Sequence, residues 1–224
     1  MVGVLSAATA CVPGGVVAGG GDEGGGARAG WWGEGGDAVE VLDADLAERI
    51  ESLSERSPTW RSAMAELRRG EFRVVVGDPA GVRAGVEVLS RYRTRHFGEV
   101  IPLRDGRGGV TGAVVVVDVE RVRRLVERSG LPERVVDGDV ERILIHELYG
   151  HVVPLARSRR LDGGCPDPGP GEPALSSCAI RRENRIRAEL GLEMRVAYDL
   201  TGLVVGRYLR GLGRDGVPGP RDDP

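Results

Sequence analysis

Lysine is missing from this 224-residue chain, and all 31 of its basic residues are arginine. Against 34 acidic residues they leave a formal net charge of −3. That balance gives no basic footprint for nucleic-acid binding, and no nucleic-acid partner is expected. The chain also carries 36 glycines, so the arginine bias reads as chain-wide composition and solvated helix faces rather than as a phosphate site. Aromatic residues are scarce, at 4%, yet the 41% apolar fraction is adequate for one aliphatic core. No apolar run approaches the ~20 residues of a membrane-spanning helix. Cysteine and histidine are equally rare, at three each, so the places where they cluster carry information.

The first ten residues are apolar and end in Ser6-Ala7-Ala8-Thr9-Ala10 before Cys11. That stretch resembles the end of a secretory signal and, loosely, the lipobox of a bacterial lipoprotein. It lacks a basic n-region, and Ala8 stands where a leucine is expected. Cys165 and Cys178 bracket a Pro/Gly loop and are expected to form a disulfide, which favours an oxidising compartment. The expectation is therefore an exported protein of the cell envelope or secreted space, with membrane attachment through a lipidated Cys11. The alternative is an apolar, glycine-rich leader on a cytoplasmic protein.

Residues 1–37 read as leader and glycine-rich linker, 38–213 as one domain, and 214–224 as a Gly/Pro/Asp-rich tail. Inside the domain, Leu46, Ile50, Leu53, Trp60, Met64 and Leu67 have helical spacing, interrupted at Ser57-Pro58. Residues 72–76, 96–103 and 110–118 read as strands. The third contains Val114 to Val117, a run that calls for burial on both faces. Residues 80–93 stay open. Helices are expected over 119–129, then from an Asp139 cap to about Pro154, from Ser176 or Ser177 to Leu190, and over 200–212. The resulting class is α+β, with a small mixed sheet and a monomeric state.

The informative stretch is His146-Glu147-Leu148-Tyr149-Gly150-His151, set in apolar sequence. Two imidazoles beside a carboxylate are costly to bury unless something binds them, and zinc is the usual ligand. The familiar spacing puts the histidines at i and i+4 on one helix face. Here the second is at i+5, which on a regular α-helix turns it ~140° from the first rather than ~40°. A π-bulge absorbs one extra residue, and Gly150 is the residue best able to take the distortion. The structure is thus expected to widen near Tyr149-Gly150 and to hold one zinc ion. A third ligand must come from elsewhere. His96, Glu183 and Glu189 are the candidates, and Glu183 is favoured because Asn184 and Arg187 can orient it. Glu189 is expected to be a surface charge, and His96 to be structural or groove-lining. Glu147 would act as general base toward metal-activated water. A second donor to the developing oxyanion could be Tyr198, Tyr149, Arg195 or His96.

Residues 144–151, followed by Arg182-Glu183-Asn184-Arg185-Ile186-Arg187-Ala188-Glu189-Leu190-Gly191-Leu192, Arg195 and Tyr198, resemble the zinc metallopeptidases of bacterial effector and polymorphic-toxin domains. Those enzymes keep H-E-x-x-H. The H-E-x-x-G-H form present here is similar to that of the dipeptidyl-peptidase III family, which also takes a third glutamate from a later helix. The resemblance implies a zincin-like, gluzincin-type fold, with a mixed sheet packed on the histidine helix and a glutamate-bearing helix after it. It implies His146, His151 and Glu183 as zinc ligands, Glu147 as base, Tyr198 as transition-state donor, and a peptide or protein substrate. Two alternatives accompany it: a zinc-binding but non-catalytic zincin-fold lipoprotein or binding module, and a secreted effector or toxin protease.

Overall fold

The computed structural model describes residues 38–90, 92–94, 96–159, 177–195 and 203–205. Helix α1 (Ala44–Arg56) starts where Asp43 accepts a hydrogen bond from the Leu46 N–H at 2.9 Å. It buries Leu46, Ile50 and Leu53 along one face. Ser57 ends α1 and caps α2 (Pro58–Arg69), its Oγ accepting from the Trp60 N–H at 3.1 Å with Pro58 in the first turn. Trp60 is wholly buried, and its indole N–H donates to the Ile50 carbonyl at 3.1 Å, so the two helices lock at their junction.

The sheet has four strands in the order β1 (Val39–Val41), β2 (Arg73–Gly77), β4 (Val110–Val117), β3 (Gly98–Arg104). The first three are parallel, and β3 runs antiparallel to β4 along one edge. A valine-rich β4 belongs in the interior, because strands buried on both faces have no polar side to alternate with. Val115 and Val117 face the main core with Val74 and Val76. Val114 and Val116 face a second cluster with Val75, Val82, Leu89 and Ile101. That second face is covered by α3 (Pro79–Gly85) and a 3₁₀ turn at Glu87–Leu89, built from the stretch whose pattern was ambiguous. β1 is a three-residue strand that sequence reading did not separate from the approach to α1.

On the other face lie α4 (Val119–Arg128) and a long helical run comprising α5 (Arg134–Leu144), a π-helix (Ile145–Val152) and α6 (Val153–Ser158). Helix α7 (Cys178–Glu189) packs on the π-helix. Ser177 caps it through the Ile180 N–H, and Gly191 follows at φ +66°, the left-handed conformation that closes a helix. Asp139 does not cap a helix, contrary to expectation. It lies inside α5, fully buried, and accepts from the N–H groups of Val204 and Val205 at 2.7 and 3.0 Å. The carboxylate thus satisfies the backbone of a segment 65 residues away. Glu189 is more than a surface charge: it accepts from the Thr59 N–H at 3.2 Å and from the hydroxyls of Ser57 and Thr59, placing an anion at the start of α2. Cys178 is disulfide-bonded, while its expected partner Cys165, the 200–212 helix apart from 203–205, and Cys11 lie outside the described residues. Among the described residues no helix is long and apolar enough to cross a membrane.

Candidate metal centre

The helix widens through the whole of Ile145–Val152, further than a single-turn bulge. Its end shows the i→i+5 pattern, with the Val153 N–H donating to the Leu148 carbonyl. In that winding, residues five apart lie above one another, as residues four apart do in an α-helix. His146 and His151 consequently share a face. Their rings meet edge to face with centroids 4.9 Å apart, and their Nε2 atoms lie 3.2 Å apart.

Gly150 contributes by close approach rather than by unusual backbone angles. A Cβ there would meet the Ala179 carbonyl oxygen at 3.3 Å and the Ala179 Cβ at 3.4 Å, so the glycine lets α7 press onto the π-helix. Pro154 has no N–H to offer the Gly150 carbonyl four residues earlier. Arg182 of α7 donates to that carbonyl instead, at 2.9 Å. Sequence reading missed this partnership, although a proline four residues after a glycine carbonyl is a signal that a donor must come from outside the helix.

Helix α7 brings Glu183 to His146. Its Oε2 lies 2.9 Å from His146 Nδ1, and its Oε1 accepts from Arg187 at 2.8 Å. Arg195 donates to Oε2 at 3.0 Å. Asn184 holds Arg195 in place by bonding its backbone in both directions, accepting from the N–H at 2.8 Å and donating to the carbonyl at 2.9 Å. Glu183, Asn184 and Arg187 are all buried. The contacts of Glu183 are on the Nδ1 side of His146 rather than at the Nε2 pair. Among the described residues no group of three His, Cys, Asp or Glu side chains forms a ready-made metal cluster.

Glu147 stands apart from this network. It is 6% exposed, and among the described residues no hydrogen bond or ion pair engages its carboxylate. It packs against β3 at Gly98, where an added Cβ would fall 2.8 Å from both Cγ and Oε1 of Glu147. The glycine was not singled out by sequence reading, although a glycine inside a strand often marks such an approach.

Burial lifts the Glu147 carboxyl to about 7, opposed by the charge of His146 and reinforced by Glu99. Burial also drives His151 down to about 3, with His146 and Arg182 adding to the effect, so its imidazole is neutral. For Glu183 burial alone would raise the value. The hydrogen bond from His146 and the charges of His146, Arg195 and Arg187 outweigh it and hold the group near 2, as a carboxylate.

Of the candidate donors, Tyr149 packs in the main core and Arg195 sits beside His146 Nδ1 at 3.3 Å. His96 precedes β3, where its backbone bonds the Thr94 side chain, and among the described residues no hydrogen bond joins its ring to His146, Glu147 or His151. Tyr198 lies outside the described residues.

The nitrogen pair fits two of the three protein ligands of a catalytic zinc, and among the described residues no third one joins it. Two nitrogens each ~2.0–2.1 Å from a tetrahedral ion stand about 3.3 Å apart, against the observed 3.2 Å. The His146 ring is held from α7, and His151 is neutral, the form that ligates. Comparison of the chain with protein-family models, with curated proteins and with solved structures gives no match, and the reading of this site rests on its residues and geometry.

Proposed function

We propose that this protein is a zinc-dependent metallopeptidase with a zincin-like arrangement, in which His146 and His151 bind one zinc ion and Glu147 is the general base. The observation that carries the reading is the π-helix, which sets two imidazole Nε2 atoms 3.2 Å apart and carries beside them in sequence a buried carboxylate that, among the described residues, no hydrogen bond or ion pair engages. A carboxylate enclosed in a structural helix with no hydrogen-bond partner among the described residues would be a cost without return. Next to a metal-ligating pair it is a proton acceptor with a value near neutrality.

Zinc held by the two rings would act as a Lewis acid on the scissile carbonyl and acidify water. Glu147 takes the proton of the attacking water and returns it to the leaving amine. Gly98 lets that carboxylate lodge against the sheet edge, and α7 fixes the ring of His146 from the other side. β3 is an edge strand beside Glu147, and a strand edge offers an extended peptide a row of backbone partners. This supports a peptide or protein as substrate. The disulfide at Cys178 supports an oxidising compartment, the cell envelope or the secreted space.

Metal analysis and a peptide-library digest test the proposal together. Wild type should carry about one zinc per chain and cleave peptides. His151→Ala should lose the metal, and Glu147→Gln should keep it while losing cleavage. Full zinc retention in His151→Ala would refute the site. A wild type that binds zinc and cleaves nothing across a broad library would point instead to a non-catalytic binding module.

A further inference from the structure

We propose that Glu183 is a positioning residue for His146 and not a ligand of the metal. Its carboxylate accepts the His146 Nδ1–H, fixing the tautomer and the aim of the ring so that the Nε2 lone pair faces His151. This inference rests on the zinc reading above and changes the role that sequence reasoning gave to Glu183.

The first argument is directional. In an imidazole the two nitrogens point to opposite sides of the ring. Glu183 Oε2 lies 2.9 Å from Nδ1, while Nε2 faces the Nε2 of His151 at 3.2 Å. The carboxylate is therefore behind the ring with respect to the nitrogen pair.

The second argument concerns proton placement. Arg195 Nη1 is 3.3 Å from Nδ1 and 3.0 Å from Oε2. A guanidinium can only donate, and a carboxylate can only accept. The shorter contact of Nδ1 is to the carboxylate, so Nδ1–H and Arg195 both donate to Oε2, and the distance between them follows from sharing one acceptor. Nδ1 then carries the ring proton. In a neutral imidazole that leaves Nε2 as a bare lone pair, the form a metal requires.

The third argument is occupancy. Oε1 already accepts from Arg187 at 2.8 Å, and Oε2 accepts from Arg195 as well as His146. Arg187 is itself anchored, its Nε donating to the Glu193 carbonyl at 2.7 Å. Asn184 clamps the backbone of Arg195 from both sides. A carboxylate held by two anchored guanidinium groups is shaped to orient a histidine, because moving it to a metal would break its ion pairs with the buried Arg187 and the partly buried Arg195. Acceptors of this kind behind a ligating histidine typically change metal affinity 10–100-fold when removed, far less than loss of a ligand.

Glu183→Gln is the deciding variant, since glutamine keeps an oxygen to accept the Nδ1–H. The expected result is zinc affinity lowered by about 10–100-fold, a much smaller loss than in His151→Ala. The cobalt(II)-substituted protein should have the same visible absorption bands as wild type, because the ligand set is unchanged. In metal-free, nitrogen-15 histidine-labelled wild type, the His146 Nδ1–H should give a low-field, exchange-protected proton signal that moves upfield in Glu183→Gln. A merely structural role would not move that signal, and the wild-type spectrum alone decides the matter if the variant fails to fold. A Glu183→Gln protein as empty of zinc as His151→Ala, altered cobalt bands, or no protected Nδ1–H on His146 would overturn the assignment while leaving the zinc reading standing. A wild type that binds no zinc would overturn both.

Discussion

Adding one methyl group at Gly98 separates the packing of Glu147 from its chemistry. In Gly98→Ala the new Cβ would lie 2.5 Å from Ile143 Cγ2 and 2.8 Å from Cγ and Oε1 of Glu147. Ordinary carbon contacts are ~3.5–4.0 Å, so neighbours must retreat by roughly 1 Å. Ile143 is a buried core residue on the helical run, and the longer, unbranched side chain of Glu147 can yield more easily. Overpacking of this size costs ~1–3 kcal/mol. For a domain of this length each kcal/mol lowers Tm by about 2–4 °C. A shift of the Glu147 carboxylate by about 1 Å should also lower kcat/KM by up to ~100-fold, while zinc content stays near wild type because the substitution does not touch either imidazole. Thermal unfolding with and without chelator, metal analysis and peptide hydrolysis read these three effects. Gly106→Ala is the control, since nothing lies within 4 Å of a Cβ there, and it should match wild type throughout. A Gly98→Ala protein indistinguishable from that control in Tm and turnover would refute the placement of Glu147 against β3.

Three further outcomes follow. Burial raises Glu147 from 4.5 to about 7, so the native state binds a proton that the unfolded chain releases, and this group's contribution to stability falls as pH rises from about 4.5 to 7. In metal-free protein the unfolding free energy of Glu147→Gln from urea titration should accordingly gain on wild type between pH 5 and 8, by on the order of 3 kcal/mol at most, whereas a constant gap would remove burial as the cause. His151 behaves in the opposite sense. Its value falls from 6.5 to about 3, so metal-free wild type should lose stability as pH drops below 6.5, and Glu183, held near 2, adds its own loss below 4.5. Removing His151 as His151→Phe should flatten the upper part of that acid limb in a pH series of denaturation curves. Arg182→Ala leaves the Gly150 carbonyl without its 2.9 Å donor and should cost about 1–2 kcal/mol in chemical denaturation, while the exposed neighbour Arg185→Ala should be close to neutral.

Much of the fold was legible because it depends on local chemistry. Asp43, Ser57 and Ser177 cap helices by bonding N–H groups three residues on, a relation contained within four residues of sequence. The run Val114 to Val117 of β4 required two buried faces, and the interior position of that strand supplies them. The i+5 histidine spacing required a wider helix, which is the π-helix of Ile145–Val152. Asp139 was misread because the same residue type that caps a helix can also receive the backbone of a distant segment, and only packing distinguishes the two.

The sequence by itself determined that His146, Glu147 and His151 lie on one helix and that the helix must be distorted if they are to act together, because side-chain direction along a helix follows from residue count. It also singled out the Glu183-Asn184-Arg187 stretch by composition. Only the tertiary structure decided which atoms meet. Spacing carries no information about whether Glu183 reaches Nδ1 or Nε2 of a ring 37 residues away. Nor does it show that Gly98, on a different strand, makes room for Glu147, or that Arg182 completes the carbonyl that Pro154 leaves unserved. Those contacts depend on how α7 and β3 are laid against the π-helix, and that placement rests on packing between elements far apart in sequence, α7 meeting the π-helix at Gly150 and β3 meeting it at Gly98.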